Sequence, residues 1–138
     1  MPLGHLGVNV SDLSRAKEYY DEFMPLVSYA PFFHTGDQFS YRPAGEKPGA
    51  WIFFYRSVEP GGYSRHRPGL QHLAFTVTSR AAVHRAHEWA RDRGAEILHL
   101  PREFPEYHEG YYATFWVDPE GFMLEVVCHR DEEPDSAS

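Results

Sequence analysis

The chain is predicted to be an α+β protein built from two βαβββ modules, and three observations carry that prediction. The apolar stretches LGHLGVNV (residues 3–10) and LQHLAFTV (70–77) hold a histidine at the same place, 67 positions apart. Each runs into a helix-start signal, SDLSRA after the first and TSRAAV after the second, in which Ser and Asp side chains can accept hydrogen bonds from free helical amides. Three β signals then follow each helix, so a fixed-period comparison superposes the halves element by element.

The first strand, LGHLGVNV, leads into a helix over about Leu13–Met24 that Pro25 should stop, because proline lacks the amide the next turn needs. Strands are expected at about Val27–Phe33, Phe39–Arg42 and WIFFYR (51–56), with the Pro- and Gly-rich PAGEKPG between the last two. In the second half LQHLAFTV precedes a helix over about Arg80–Arg93, capped by Gly94, a residue suited to the left-handed C-terminal position. Val83, Ala86, Trp89 and Ala90 share one face of that helix, and His84 and His87 are read as solvated. Strands AEILHL (95–100), YYATFWV (111–117) and FMLEVV (122–127) complete the module, the last two joined by the turn DPEG. Together the modules make one domain, residues 3–129, with module 1 at about 3–56, a linker loop at 57–69, module 2 at about 70–129, and a flexible tail at 130–138. Loops 57–69 and 101–110 are long enough to carry function.

At 138 residues and 42% hydrophobic content the chain suits one domain with a core. A formal charge of −7 with no Lys/Arg cluster argues against nucleic acid as a partner. No apolar run approaches the roughly 20 residues of a membrane span. The lone Cys128 and the N-terminus MPLGHLGVNV, without a basic leader or apolar signal core, favour a cytoplasmic setting.

Strand side chains alternate between faces. His5 therefore lies with Leu3, Gly7 and Asn9, His72 with Leu70, Ala74 and Thr76, and in both copies the histidine takes the more polar face. Glu125 intrudes likewise into FMLEVV, and a carboxylate there is costly without a partner or a metal. If Val117 pairs with Phe122 across DPEG, then Glu125 lies opposite Thr114, and Tyr112, Thr114 and Trp116 share its face. Two imidazoles and a carboxylate form the set of non-haem iron sites and are also tolerable to Mn, Zn, Ni or Co, so one divalent ion on His5, His72 and Glu125 is the candidate. The competing reading is a metal-free binding cup in which these groups hydrogen-bond.

The paired modules, the strand-borne histidines of GHLGVNVSDLSRAKEYY and GLQHLAFTV, and the ending DPEGFMLEVV resemble the vicinal oxygen chelate superfamily over about residues 3–129. That superfamily spans glyoxalase I, bleomycin-resistance proteins, extradiol dioxygenases, fosfomycin-resistance thiol transferases and methylmalonyl-CoA epimerase. The resemblance implies a partly closed eight-stranded cup with helices outside, a divalent metal on His5, His72 and Glu125, a substrate that chelates it through adjacent oxygens, and a homodimer. Phe53 stands where glyoxalase I and the epimerase carry a fourth ligand, which disfavours glyoxalase I itself.

The expectation is thus a metal-dependent enzyme acting on a small substrate, by ring-cleaving dioxygenase or by lyase or isomerase chemistry. Trp51, Phe53, Tyr55, Thr114 and Trp116 would wall the pocket and suit an aromatic substrate. His66 and His108 are candidate bases, and Tyr107, Tyr111 and Tyr112 candidate donors to a metal-bound oxyanion, Tyr112 foremost by parity. Arg65 and Arg67 could clamp an anion. A non-catalytic small-molecule binder of the bleomycin-resistance type and a thiol transferase of the fosfomycin-resistance type are the alternatives.

Overall fold

The computed structural model describes residues 3–133. The elements run β1 (His5–Val10), α1 (Leu13–Phe23), β2 (Tyr29–His34), β3 (Gln38–Pro43), β4 (Trp51–Arg56), β5 (Leu73–Val77), α2 (Arg80–Asp92), β6 (Ile97–Glu103), β7 (Tyr112–Val117) and β8 (Met123–Cys128). This is βαβββ twice, as the repeat predicts. The chain divides into two compact units between Gly62 and Tyr63.

In the first unit the sheet order is β1-β4-β3-β2, with β1 parallel to β4 and the other pairs antiparallel. Asp12 caps α1 by accepting from the Arg15 amide at 3.0 Å. Pro25 does not end the helical path outright: it sits in the first turn of a 3-10 segment, Met24–Val27, where a missing amide costs nothing. Tyr20 and Phe23 of α1 are fully buried, and Tyr20 meets Phe54 of β4 at 4.5 Å between ring centroids. Phe39 stacks on the same Phe54 at 4.9 Å. Val8, Val10, Ile52 and Phe54 are buried while His5, Gly7 and Asn9 are exposed, which is the alternation the sequence predicts.

The second sheet repeats the order as β5-β8-β7-β6, again with one parallel pair, β5 with β8. Ser79 caps α2 by accepting from the Ala82 amide at 3.1 Å. Gly94 follows at φ 78°, in the left-handed region where a side chain would clash. Val83, Ala86 and Ala90 are fully buried where α2 packs on its sheet. His87, read as solvated, is buried instead, with Nδ1 lacking a hydrogen-bond partner among the described residues. Burial, followed by the nearby Arg91 and His84, lowers its pKa below the ordinary histidine value, against opposing contributions from Glu88 and Asp92.

Two boundaries shift in ways that matter for the site. β5 begins at Leu73, so His72 lies one residue ahead of the strand. β6 extends to Glu103 through two irregularities in its pairing with β7, so residues 101–103 of the expected loop belong to the sheet.

The β7–β8 register is the main correction. Val117 pairs with Met123 rather than Phe122, and Glu125 lies opposite Phe115 rather than Thr114. The connection is the five residues 118–122, closed by the Asp118 amide on the Phe122 carbonyl at 2.9 Å. The Asp118 carboxylate accepts from the amides of Glu120, Gly121 and Phe122 at 2.8–2.9 Å, and Gly121 adopts φ 104°. One residue of register turns every β7 side chain to the other face. At the C-terminal end the Glu132 amide donates to the Thr78 carbonyl at 2.8 Å; residues 134–138 of the predicted tail lie outside the described residues.

No described helix is long and apolar enough to cross a membrane.

A candidate metal and ligand site in the second unit

Glu125 is 2% exposed, on the face of the second sheet away from α2. Its neighbours there are apolar: Phe104, Ala113, Phe115 and Val127 form a buried cluster with Leu98, Tyr111 and Met123 packed against it. A carboxylate in such surroundings must be compensated, and two partners do so. The Tyr111 hydroxyl donates to Oε2, and His72 Nε2 stands 3.2 Å from Oε1.

The second contact is the telling one. Gln71 Oε1 lies 2.5 Å from His72 Nδ1. Through this contact Gln71 holds Nδ1, and Nε2 is the ring nitrogen turned toward Glu125. Nε2 and the carboxylate Oε1 face each other at 3.2 Å, a spacing that bonds of about 2.0–2.2 Å to a single first-row ion would also span. An imidazole nitrogen and a carboxylate oxygen are both donor types that a divalent cation accepts.

A hollow of about 460 Å³ opens in front of this pair, lined by Gln71, His72, His99, Phe104, Tyr107, Tyr111, Phe115, Met123 and Glu125. Phe115 meets His99 and Phe104 at 5.3 and 5.5 Å between centroids, and Tyr107 meets Tyr111 at 5.0 Å. Lysine and arginine are absent from the lining. Burial, and then Glu125, hold the Tyr111 phenol well above the ordinary tyrosine pKa, so it remains a donor.

The sequence-predicted residues divide accordingly. His72 and Glu125 are brought together as expected. His5 lies in the first unit, exposed on the same face of β1 and β4 as Trp51, Phe53 and Tyr55, with its ring edge-on to Phe53 at 5.4 Å. Tyr55 covers Gly7 there so closely that a Cβ would lie 3.2 Å from its ring. Within neither unit do three or more His, Cys, Asp or Glu side chains of the described residues gather.

Tyr112, Thr114 and Trp116, expected beside Glu125, take the opposite face because of the register. Tyr112 meets His84 of α2 at 2.7 Å and lies under the Arg80 guanidinium. Thr114 donates to the His99 carbonyl at 2.8 Å, and Trp116 is fully buried. Their places are taken by Tyr111, Ala113 and Phe115. His66 and His108 do not line the hollow. The His66 amide donates to Ser64 at 3.1 Å, while the His108 ring faces Tyr111 and its Nε2 lies 3.0 Å from Nδ1 of His129. Gln71, His99, Phe104, Phe115 and Met123 were not singled out beforehand. For Phe115 the correct hairpin register would have sufficed.

The fold and the site together define the class: the chain belongs to the glyoxalase/bleomycin resistance protein/dioxygenase superfamily, whose family model matches residues 3–126. The uncharacterized protein YqjT of Bacillus subtilis is 27% identical over 127 residues, 90% of this chain and 96% of that protein. Among solved structures, a provisionally named glyoxalase from Bacillus halodurans has a TM-score of 0.75 at 25% identity, covering 91% of this chain and 94% of the other. A glyoxalase/bleomycin resistance protein from Albidiferax ferrireducens T118 also has a TM-score of 0.75, at 18% identity over 93% of this chain and 99% of its own.

Proposed function

We propose that the chain is a metal-dependent enzyme in which His72 and Glu125 hold one divalent ion and His5 supplies a third ligand, acting on a small aromatic substrate that chelates the ion through adjacent oxygens. The supporting observation is that His72 Nε2 and Glu125 Oε1 face each other at 3.2 Å on the wall of an aromatic hollow. The assignment of His5 rests on the sequence repeat.

A bound divalent ion would supply Lewis acidity toward substrate oxygens. The chain's own residues do the rest. Phe104, Tyr107 and Phe115 offer faces and edges for a flat apolar body. His99, the other imidazole on the wall, takes over from His66 and His108 as the candidate to move a proton. Lyase, isomerase and ring-cleaving chemistry all fit this arrangement. The protein is taken as a cytoplasmic homodimer.

The test is metal analysis of protein purified without chelators. One equivalent of Fe, Mn, Zn, Ni or Co, lost in His72→Ala, Glu125→Ala and His5→Ala, supports the reading. Metal-free protein that still binds aromatic compounds after incubation with each ion would instead make it a non-catalytic binder.

A further inference from the structure

We propose that Gln71 and Tyr111 are positioning residues that aim His72 and Glu125 at a common ion, an inference that rests on the metal reading above. Each candidate ligand has two donor atoms. A histidine can present either nitrogen, and a carboxylate can rotate either oxygen forward. At both ligands one atom is tied back by a neighbour, so only the other remains to face the hollow.

Gln71 Oε1 stands 2.5 Å from His72 Nδ1, which ties that nitrogen back and leaves Nε2 toward Glu125. Tyr111 holds Glu125 Oε2, which leaves Oε1 toward His72. The two restraints act on different ligands from different elements. Gln71 precedes β5 and Tyr111 precedes β7, so neither depends on the other's conformation.

Tyr111 is itself held on several sides. Its ring meets Tyr107 at 5.0 Å, His129 at 5.1 Å and His108 at 5.3 Å. Its carbonyl accepts from the Phe104 amide at 2.8 Å. A phenol so fixed cannot follow a wandering carboxylate; it sets where the carboxylate sits. Partners of this kind to metal ligands typically govern affinity by about 10–100-fold.

The experiment titrates chelator-treated protein with Co(II) and follows its visible absorption, alongside thermal unfolding to show that each variant is folded. Gln71→Ala and Tyr111→Phe are expected to weaken Co(II) binding by about 10–100-fold each. Gln71→Glu, which keeps an acceptor for Nδ1–H, is expected to restore it. Nitrogen-15 NMR of His72 should show the Nδ1–H tautomer in wild type and Gln71→Glu and a mixture in Gln71→Ala, a readout that loss of stability alone would not move. Wild type that takes up no Co(II) overturns the metal reading and this inference with it. Wild type that binds Co(II) no more tightly than Gln71→Ala and Tyr111→Phe overturns this inference alone, as would tighter binding by Tyr111→Phe.

Discussion

Replacing Glu125 by methionine should leave the metal-free protein close to wild type in stability, although Glu125 is among the most buried side chains of the chain. Methionine nearly conserves the volume and matches the apolar surroundings of Phe104, Ala113, Phe115 and Val127. Exchanging a buried ionic group for a packed apolar one is often neutral or stabilising, by about 1–4 kcal/mol. Against that, Tyr111 loses its acceptor, and a polar group left unpaired costs about 1–3 kcal/mol. Tyr111 is only half-buried, so water offsets part of that cost. His72 is 38% exposed and stays solvated without its partner. The single variant should therefore fall between about 1 kcal/mol less and 2 kcal/mol more stable than wild type. The double variant Glu125→Met/Tyr111→Phe removes the orphaned hydroxyl and should gain about 1–4 kcal/mol. Urea unfolding of chelator-treated protein, followed by circular dichroism, measures both. A double variant less stable than wild type by more than about 2 kcal/mol would refute the reasoning, since that is the mark of a carboxylate kept for structure.

Tyr112→Phe should leave Co(II) affinity unchanged while Tyr111→Phe weakens it, because the observed β7–β8 register puts only Tyr111 beside Glu125; equal losses in the two would contradict that register. His87 is buried with a depressed pKa, so the unfolded chain binds the extra proton first and stability should fall as pH drops below about 6.5. A His87→Leu variant should lose less between pH 7.5 and 5.5, as read from urea midpoints; an unchanged slope would show that other groups set the acid sensitivity. Ser79→Ala removes the cap of α2 and should cost about 1 kcal/mol in the same unfolding assay. No loss there would mean that tertiary packing alone fixes the start of the helix.

Much of the architecture was legible because it follows from periodicity. Alternation along LGHLGVNV and WIFFYR put Val8, Val10, Ile52 and Phe54 inside and left His5 outside, and cap residues marked both helices. Periodicity does not fix how far a turn extends. Asp118 recruits three amides with one carboxylate, drawing Phe122 into the turn and moving the hairpin by one residue. That single step exchanged Tyr112, Thr114 and Trp116 for Tyr111, Ala113 and Phe115. His87 was misread for a related reason. A helix lying on a broad sheet buries more than its most apolar stripe, and the flank of that stripe falls on a histidine. Gln71 carried no signal, since a surface glutamine gains meaning only when a ring nitrogen stands beside it. The pairing of His72 with Glu125, by contrast, was read from strand parity and the repeat.

The most direct test of a cation site at His72 and Glu125 is anomalous scattering from crystals grown with each candidate ion. One peak is expected within about 2.2 Å of both His72 Nε2 and Glu125 Oε1, with His5 as a further ligand. His108 Nε2 and His129 Nδ1, 3.0 Å apart, are a rival donor pair in the same unit. A peak there with none between His72 and Glu125, or no peak with any ion, would contradict it.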